Sequence, residues 1–492
     1  MRPFPRLLFL LLAIALPASA QRVIAQSRDV HVVEMKTATL DELARVEVAP
    51  VAGEHRERPH EQPAVVPAVR SNAIIASRTI TTLAAPPPIT RGFQAVTDPL
   101  PGAKSALDPA DTSGAAGPQH VVGAFNNAVT VHDRSGHVLS VVSAAQFWHD
   151  ETLPDKTLYD PRVAYDAAND RWVILMLGDD NGLVNGVLLI AFSTTGNPGG
   201  GWRRFRMAID QTGTLDGDIT HLGITADRIA VMVNAWSSDA PVQTNILTMQ
   251  KSAAFSTGTL NVTGTSLPYQ GELVPITSRD TTLRLAEYLS DSQILLSELS
   301  PTGAVVNQRT YSSASTSTFV PCGQLGATRA PDCGYAKVLD GVARGNAIWV
   351  VTETNANAAL VWKITGSTAT TYVIQPPNLA VAFPSIAVNG RGAALVGYTV
   401  MSSAIYPSAA YTYIDASGNQ STAVILKDGE APFRRERWGD FSTTVVDPLD
   451  DTSFWTVQDY ANTPLTQPAF DRWATWWSYI QILPARGHAV RH

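Results

Sequence analysis

The sequence predicts an all-β fold, a seven-bladed β-propeller of four-stranded antiparallel blades preceded by a signal peptide and a Pro-rich leader. Three observations lead there. From about Phe93 onward there is no helical periodicity, only short runs rich in Val, Ile, Thr, Tyr and Trp, divided by Gly, Asn, Asp and Pro turns. A strand–turn–strand unit then returns at intervals of roughly 45 to 60 residues, a period that fits propeller blades better than solenoid coils. A second hairpin follows the first in the early units, which makes four strands per repeat. Two β-sandwiches would use the same strand density, but they do not require one hairpin pattern to recur.

At the start, Arg2 and Arg6 precede ten consecutive apolar residues, Leu7 to Leu16, and then Pro17-Ala18-Ser19-Ala20. This reads as a signal peptide over residues 1–20, cut before Gln21. As a helix the apolar run reaches only ~15 Å, about half of a bilayer's hydrocarbon core, so it is not expected to span a membrane. No later segment has the ~20 apolar residues that a spanning helix needs. A secreted or periplasmic location follows, and with it a disulfide between Cys322 and Cys333, the only cysteines of the chain.

Residues 21–92 read as a leader or linker, with Pro50, Pro59, Pro63, Pro67 and Pro86-Pro87-Pro88 among charged and polar residues. Within it Thr39-Leu40-Asp41-Glu42 fits a capping box, which predicts a short helix over Leu40–Val46. The propeller is expected over 93–484, and residues 485–492 form a tail.

The clearest repeats are Asp160 to Met176 with a turn at Ala167–Asp170, His221 to Val233, Pro384 to Tyr398 and Trp438 to Val457. Weaker copies lie at Gly114–Asn126, Val274–Leu296 and Leu339–Thr352, which makes seven. Trp172, Trp202, Trp349 and Trp455 fall in or beside strands and read as packing between blades. Trp473, Trp476, Trp477 and Tyr479 in the last repeat either lock the ring or offer an aromatic patch.

Charged residues make up 16% of the 492 and hydrophobic ones 45%, which gives a globular chain. Thirty-six Lys and Arg against 43 Asp and Glu, net −7, argue against nucleic-acid binding through a broad basic face. There is no His-Glu-x-x-His, Gly-x-Ser-x-Gly, phosphate-binding glycine loop or EF-hand series.

Three segments carry a family resemblance: Asp111-Thr-Ser-Gly-Ala-Ala-Gly-Pro-Gln-His-Val-Val, Asp160-Pro-Arg-Val-Ala-Tyr-Asp with Asp170-Arg-Trp, and Trp438-Gly-Asp-Phe with Asp447-Pro and Phe454-Trp. With these the chain resembles secreted bacterial β-propeller proteins, mostly uncharacterised and loosely grouped as sialidase-like or BNR-repeat proteins. The likeness spans about Asp111 to Tyr460 and implies the fold. Sialidases repeat an Asp-box, Ser-x-Asp-x-Gly-x-x-Trp, of which this chain has only the degenerate Ser193 to Trp202.

Overlaying the inner strands gathers Asp111, Tyr159, Asp160, Arg162, Asp216, Asp218, His221, Ser385, Trp438 and Asp440 at one rim of the channel. Carboxylates accept from hydroxyls and aromatic faces cover apolar sugar surface, so this set suits a glycan or a cation. The competing reading is turn chemistry, because Asp beside Gly or Pro caps its own turn, as at Asp160-Pro161, Asp216-Gly217 and Gly439-Asp440. Arg434-Arg435-Glu436-Arg437 reads as a solvated loop. Calcium at Asp179-Asp180-Asn181-Gly182 or Asp447–Asp451 is compatible with hard oxygen ligands. The expected function is an exported scaffold that binds glycan or protein at its rim. The alternative is a sialidase-like hydrolase using rim carboxylates, and a lyase built on His221 and Tyr159 is a third reading.

Overall fold

The computed structural model describes residues 26–48, 74–78, 83–101, 107–151, 157–179, 185–210, 212–237, 240–269, 271–435, 437–466 and 469–482. The expected signal peptide and the tail lie outside the described residues. Seven four-stranded antiparallel blades form a closed ring. Their inner strands are Ser113–Ala116, Thr157–Asp166, Asp216–Ile224, Val274–Ile276, Val338–Arg344, Ala380–Val388 and Thr443–Val446, for blades 1 to 7. Each inner strand neighbours the next, and blade 7 returns to blade 1.

Seven apolar clusters hold the ring, one between each pair of adjacent blades. Strand alternation explains this, since each blade turns one set of side chains to the blade before it and the other set to the blade after. Trp172, Trp202, Trp349 and Trp455 are each at most 1% exposed and pack in these clusters, as their strand context predicts. Closure comes from the N-terminal side: Ile89–Thr97 is the outermost strand of blade 7 and pairs with Ala469–Ile480. Trp477 from that strand lies so close to Gly114 that a Cβ there would sit 2.5 Å from its ring, so only glycine fits. The aromatic run of the last blade therefore contributes to closing the ring.

The leader is not a free spacer where it is described. Gln26–Asp29 adds a strand to blade 3, and Val33–Glu34 and Ala38–Thr39 add to blade 2. Ile74–Arg78 pairs in parallel with the outer strands of both blades 4 and 5, merging them into one nine-stranded sheet. Ala84 then bridges to Ser421 beside blade 6. The expected capping box forms at Thr39 and Glu42, although the helix is one turn, Leu40–Leu43. Leu40 and Leu43 are buried in the core between blades 1 and 2. Arg204 anchors the same stretch: its guanidinium donates to the carbonyls of Lys36, Phe147 and His149. Composition hid this, because edge pairing uses backbone groups that any sequence carries.

Cys322 and Cys333 are joined in a disulfide. Among the described residues no helix is long and apolar enough to cross a membrane.

Candidate functional site

An innermost propeller strand has a partner on one side only, so its other backbone edge faces the axis. Short polar side chains from adjacent blades satisfy part of that edge. Ser113 Oγ accepts from Val163 N–H, Thr277 Oγ1 from Ile224 N–H, and Thr443 Oγ1 from Gly114 N–H. Carboxylates do the same work at one end of the channel. Asp160 Oδ2 accepts from Ile219 N–H at 2.7 Å, Asp111 Oδ1 from Asp440 N–H at 2.9 Å, and Asp340 Oδ2 from Ile386 N–H at 3.1 Å.

The inner strands bulge at this end. Register shifts lie between Tyr159 and Arg162, Asp218 and Thr220, Val338 and Asp340, and Ala382 and Ser385. Asp160, Ile219 and Phe383 at the bulges have φ of 54°, 56° and 52°, and Asp111 just ahead of blade 1 has 46°. For non-glycine residues, above all a β-branched one, these are costly conformations that the surrounding contacts must hold. Bulges re-aim side chains, and here they turn them toward the axis.

Of the residues expected at the rim, Asp111, Asp160, Arg162, Asp218, His221 and Asp440 are brought together. One oxygen each of Asp111, Asp160 and Asp440 lies within 4.8 Å of the others. All three are buried. Asn126 ties the first two, donating from Nδ2 to Asp111 Oδ2 at 2.7 Å and accepting from Asp160 N–H at 3.0 Å. Arg437 bonds to Asp440, and Lys337 Nζ lies 3.8 Å from Asp440 Oδ1. Arg162 lies 3.4 Å over the Phe441 ring and donates through Nε and Nη2 to Thr220 O. His221 Nε2 sits 3.3 Å from Glu272 Oε2, and Tyr335 donates to Glu272 Oε1 at 2.7 Å.

Tyr159, Asp216 and Trp438 are placed elsewhere. The Tyr159 hydroxyl lies 2.9 Å from Asp216 Oδ1, which also caps its own turn through Gly217 N–H. Trp438 is fully buried against Phe433 and donates to Thr399. Ser385 joins Ser442, Thr444 and Gln458 in a buried hydroxyl network. The Asp residues at the axis follow neither expected reading in full, since Asp111, Asp160 and Asp340 clamp the backbone of neighbouring blades.

Burial dominates the electrostatics. It pushes Asp111 up to about 6, with Asp440 adding to the shift, and it pushes Asp160 well above the carboxylate range, helped by Asp111 and Asp218. Asp340 rises to about 6 and Glu353 well above its ordinary value for the same reason. Burial brings His221 down to about 4 and Arg162 down to about 10. At neutral pH the site thus holds a neutral His221 imidazole, while burial favours the uncharged forms of Asp160 and Glu353 beside Arg162, Lys337 and Arg437.

Glu272, Tyr335, Lys337, Asp340 and Glu353 were missed in the sequence. Asp340 had a signal, since it stands where the repeat at Leu339 begins. Tyr335 and Lys337 follow the disulfide loop, which no repeat would align. The expected solvated loop holds at Arg434, whose side chain is 55% exposed, and is corrected at two positions: Arg435 pairs with Asp98 and Asp108, and Arg437 with Asp440, with both side chains 17% exposed. These carboxylates bind the guanidinium groups strongly enough to draw them in from solvent.

The two candidate calcium turns differ from one another. In the turn over 447–451, Asp447 accepts from Arg134 and Trp455, Asp450 caps Thr452 and Ser453, and Asp451 pairs with Arg279 and Arg344. Its carboxylates are spent on protein donors. In the other turn Asp179 is buried, and Asp180 to Gly182 lie outside the described residues.

Beyond Arg162 and His221 the channel widens into a cavity of about 680 Å³. Arg162, His221, Asp340, Ser113 and Ser442 line its inner part, Val163, Leu222, Val274 and Ile386 its wall, and Asp166, Lys251, Arg344 and Asp447 its outer mouth.

No protein-family model matches the chain, and no curated protein matches it. Solved structures of similar architecture include the endosialidase of phage phi92, at 10% identity and a TM-score of 0.39, covering 67% of this chain and 68% of that one. Trypanosoma rangeli sialidase in complex with sialic acid is 10% identical with a TM-score of 0.37, over 72% of this chain and 57% of that one. YCF48 bound to D1 peptide is 10% identical with a TM-score of 0.38, over 80% and 96% of the two chains. The chain is a seven-bladed β-propeller on its own strand pairing.

Proposed function

We propose that this is an exported binding propeller whose central channel receives the narrow end of a glycan or peptide ligand. The observation that carries the reading is the 680 Å³ cavity, walled by inner-strand edges and polar at its inner end through Arg162, His221 and Asp340. That volume lies within the range of about 300–1,000 Å³ usual for ligand pockets. Backbone edges with hydroxyl side chains supply donors and acceptors for a hydroxyl-rich or amide-rich chain. The binding site of this reading is the channel itself, one layer beyond the carboxylate cluster.

Hydrolysis is the weaker reading. A glycosidase sets two carboxyl groups about 5 to 9 Å apart across an accessible bond. Here Asp111, Asp160 and Asp440 crowd within 4.8 Å, are buried, and accept from Ile219 N–H, Asp440 N–H, Asn126 and Arg437.

The test is a glycan and peptide array on the mature protein, run with fluorogenic glycosides. Arg162→Met and Ala226→Trp probe the inner end and the exposed mouth of the channel. Binding weakened at least tenfold by both, without turnover, is the expected result. Binding indifferent to both variants, or turnover lost in Asp160→Asn, would overturn it.

A further inference from the structure

The outer edges of the blades are not treated alike. Blades 2, 3, 4 and 5 each receive an added strand from the leader. The outer strand of blade 6, Val424–Lys427, ends in a lysine, and that of blade 7, Ile89–Thr97, carries Arg91, charges of the kind that discourage strand addition. Blade 1 ends in Val138–Ser143, Val-Leu-Ser-Val-Val-Ser, with no charge and no proline. Among the described residues no strand pairs with its outer edge. Val138 is 60% exposed, Leu139 54% and Val141 42%, three of the ten large apolar side chains exposed among the described residues, gathered within four positions.

We infer that this edge is an interface between two copies of the chain, paired antiparallel across a two-fold axis. The available ladder is short, because the helix Leu40–Leu43 and the carbonyls of Ala44 and Val46, which accept from Gln146, crowd the Ser143 end. Placed on Ser140, the axis sets Leu139 against Val141 of the second copy and Ser140 against its own copy, with Val138 beside them where the strand bulges. The strand is its own complement in this register. It opposes no like charges, covers the three exposed apolar side chains and pairs the free backbone groups, which is what an isologous contact requires. A charged or Pro-rich foreign segment would satisfy the backbone but leave the apolar side chains unmatched.

The test is sedimentation of the full mature chain at concentrations up to about 100 μM, where a contact of micromolar Kd is populated. A dimer is expected, converted to monomer by Leu139→Lys and by Val141→Lys, with circular dichroism unchanged because both side chains are exposed. Ser140→Cys is expected to give a disulfide-linked dimer under mild oxidation. A wild-type chain that stays monomeric over the whole range overturns the inference, as does a dimer that both lysine variants leave intact.

Discussion

Asp160 and Ile219 occupy the same place in successive blades, both at left-handed φ, and the carboxylate of the first accepts from the backbone N–H of the second at 2.7 Å. The bond joins two bulges, so each holds the other's costly backbone in place. Removing that acceptor leaves the buried N–H only its longer bond to Asp218 Oδ1 at 3.1 Å, a net loss of about 1 kcal/mol. Asp160→Ala is therefore expected to lower the free energy of unfolding by about that amount in urea titrations, while Asp160→Asn, which keeps an acceptor oxygen, loses less. Equal losses for the two variants would mean that charge, not the acceptor, matters.

Asp459 supplies a pH dependence. It is 1% exposed, accepts from Thr112 Oγ1 at 2.5 Å, and burial raises its pKa to about 8. An acid raised on folding adds its full stability below its unfolded pKa, near 4, and loses it as pH rises through the folded value. The window here runs from about pH 4 to about pH 8, with a slope of at most about 1.4 kcal/mol per pH unit. Melting temperatures of the wild type should fall across that window more steeply than those of Asp459→Asn, which cannot ionise. Parallel profiles would count against the buried proton.

The leader is predicted to be a working part of the fold. Leu43 is 2% exposed within the core between blades 1 and 2, so Leu43→Ala should cost about 2–5 kcal/mol, measured by chemical denaturation. Arg204→Met should release the carbonyls of Lys36, Phe147 and His149 and speed amide exchange across residues 33–46. A leader that merely tethers would leave stability unchanged in both variants.

The ring was legible because each blade repeats one apolar pattern, and the turns at Ala167–Asp170 and Asp133–Gly136 close hairpins where the sequence places them. Asp111, Asp160, Arg162, His221 and Asp440 were legible by overlaying repeats, since equivalent positions of inner strands meet at the axis. Tyr159 and Asp216 were misplaced because alternate residues of a strand turn to opposite faces, and a bulge lies between Tyr159 and Arg162. The leader's pairing left no trace, for Val33–Glu34 and Gln26–Asp29 carry no pattern that specifies an edge. Lys337 and Tyr335 could not be found, because the irregular loop that delivers them has no counterpart in other blades.

That loop gives the last prediction. Gln324 fastens it to blade 7 by exchanging hydrogen bonds with the backbone of Phe433, and Asp332 faces Arg437 at 3.9 Å. A Cβ at Gly334 would meet the Phe383 ring at 2.7 Å, so the chain just after Cys333 is pressed onto the bulge of blade 6. The disulfide closes this segment over a sequence separation of 11, for which chain entropy gives about 3 kcal/mol. Replacing Cys322 and Cys333 together by serine should lower stability by about that amount and raise amide exchange at Gly334 to Lys337. Because Lys337 and Tyr335 then hold Glu272 and Asp440 less firmly, exchange should also rise at Asp440 N–H, which donates to Asp111. Loosening confined to residues 322–333 would show that the loop covers the carboxylate cluster without supporting it.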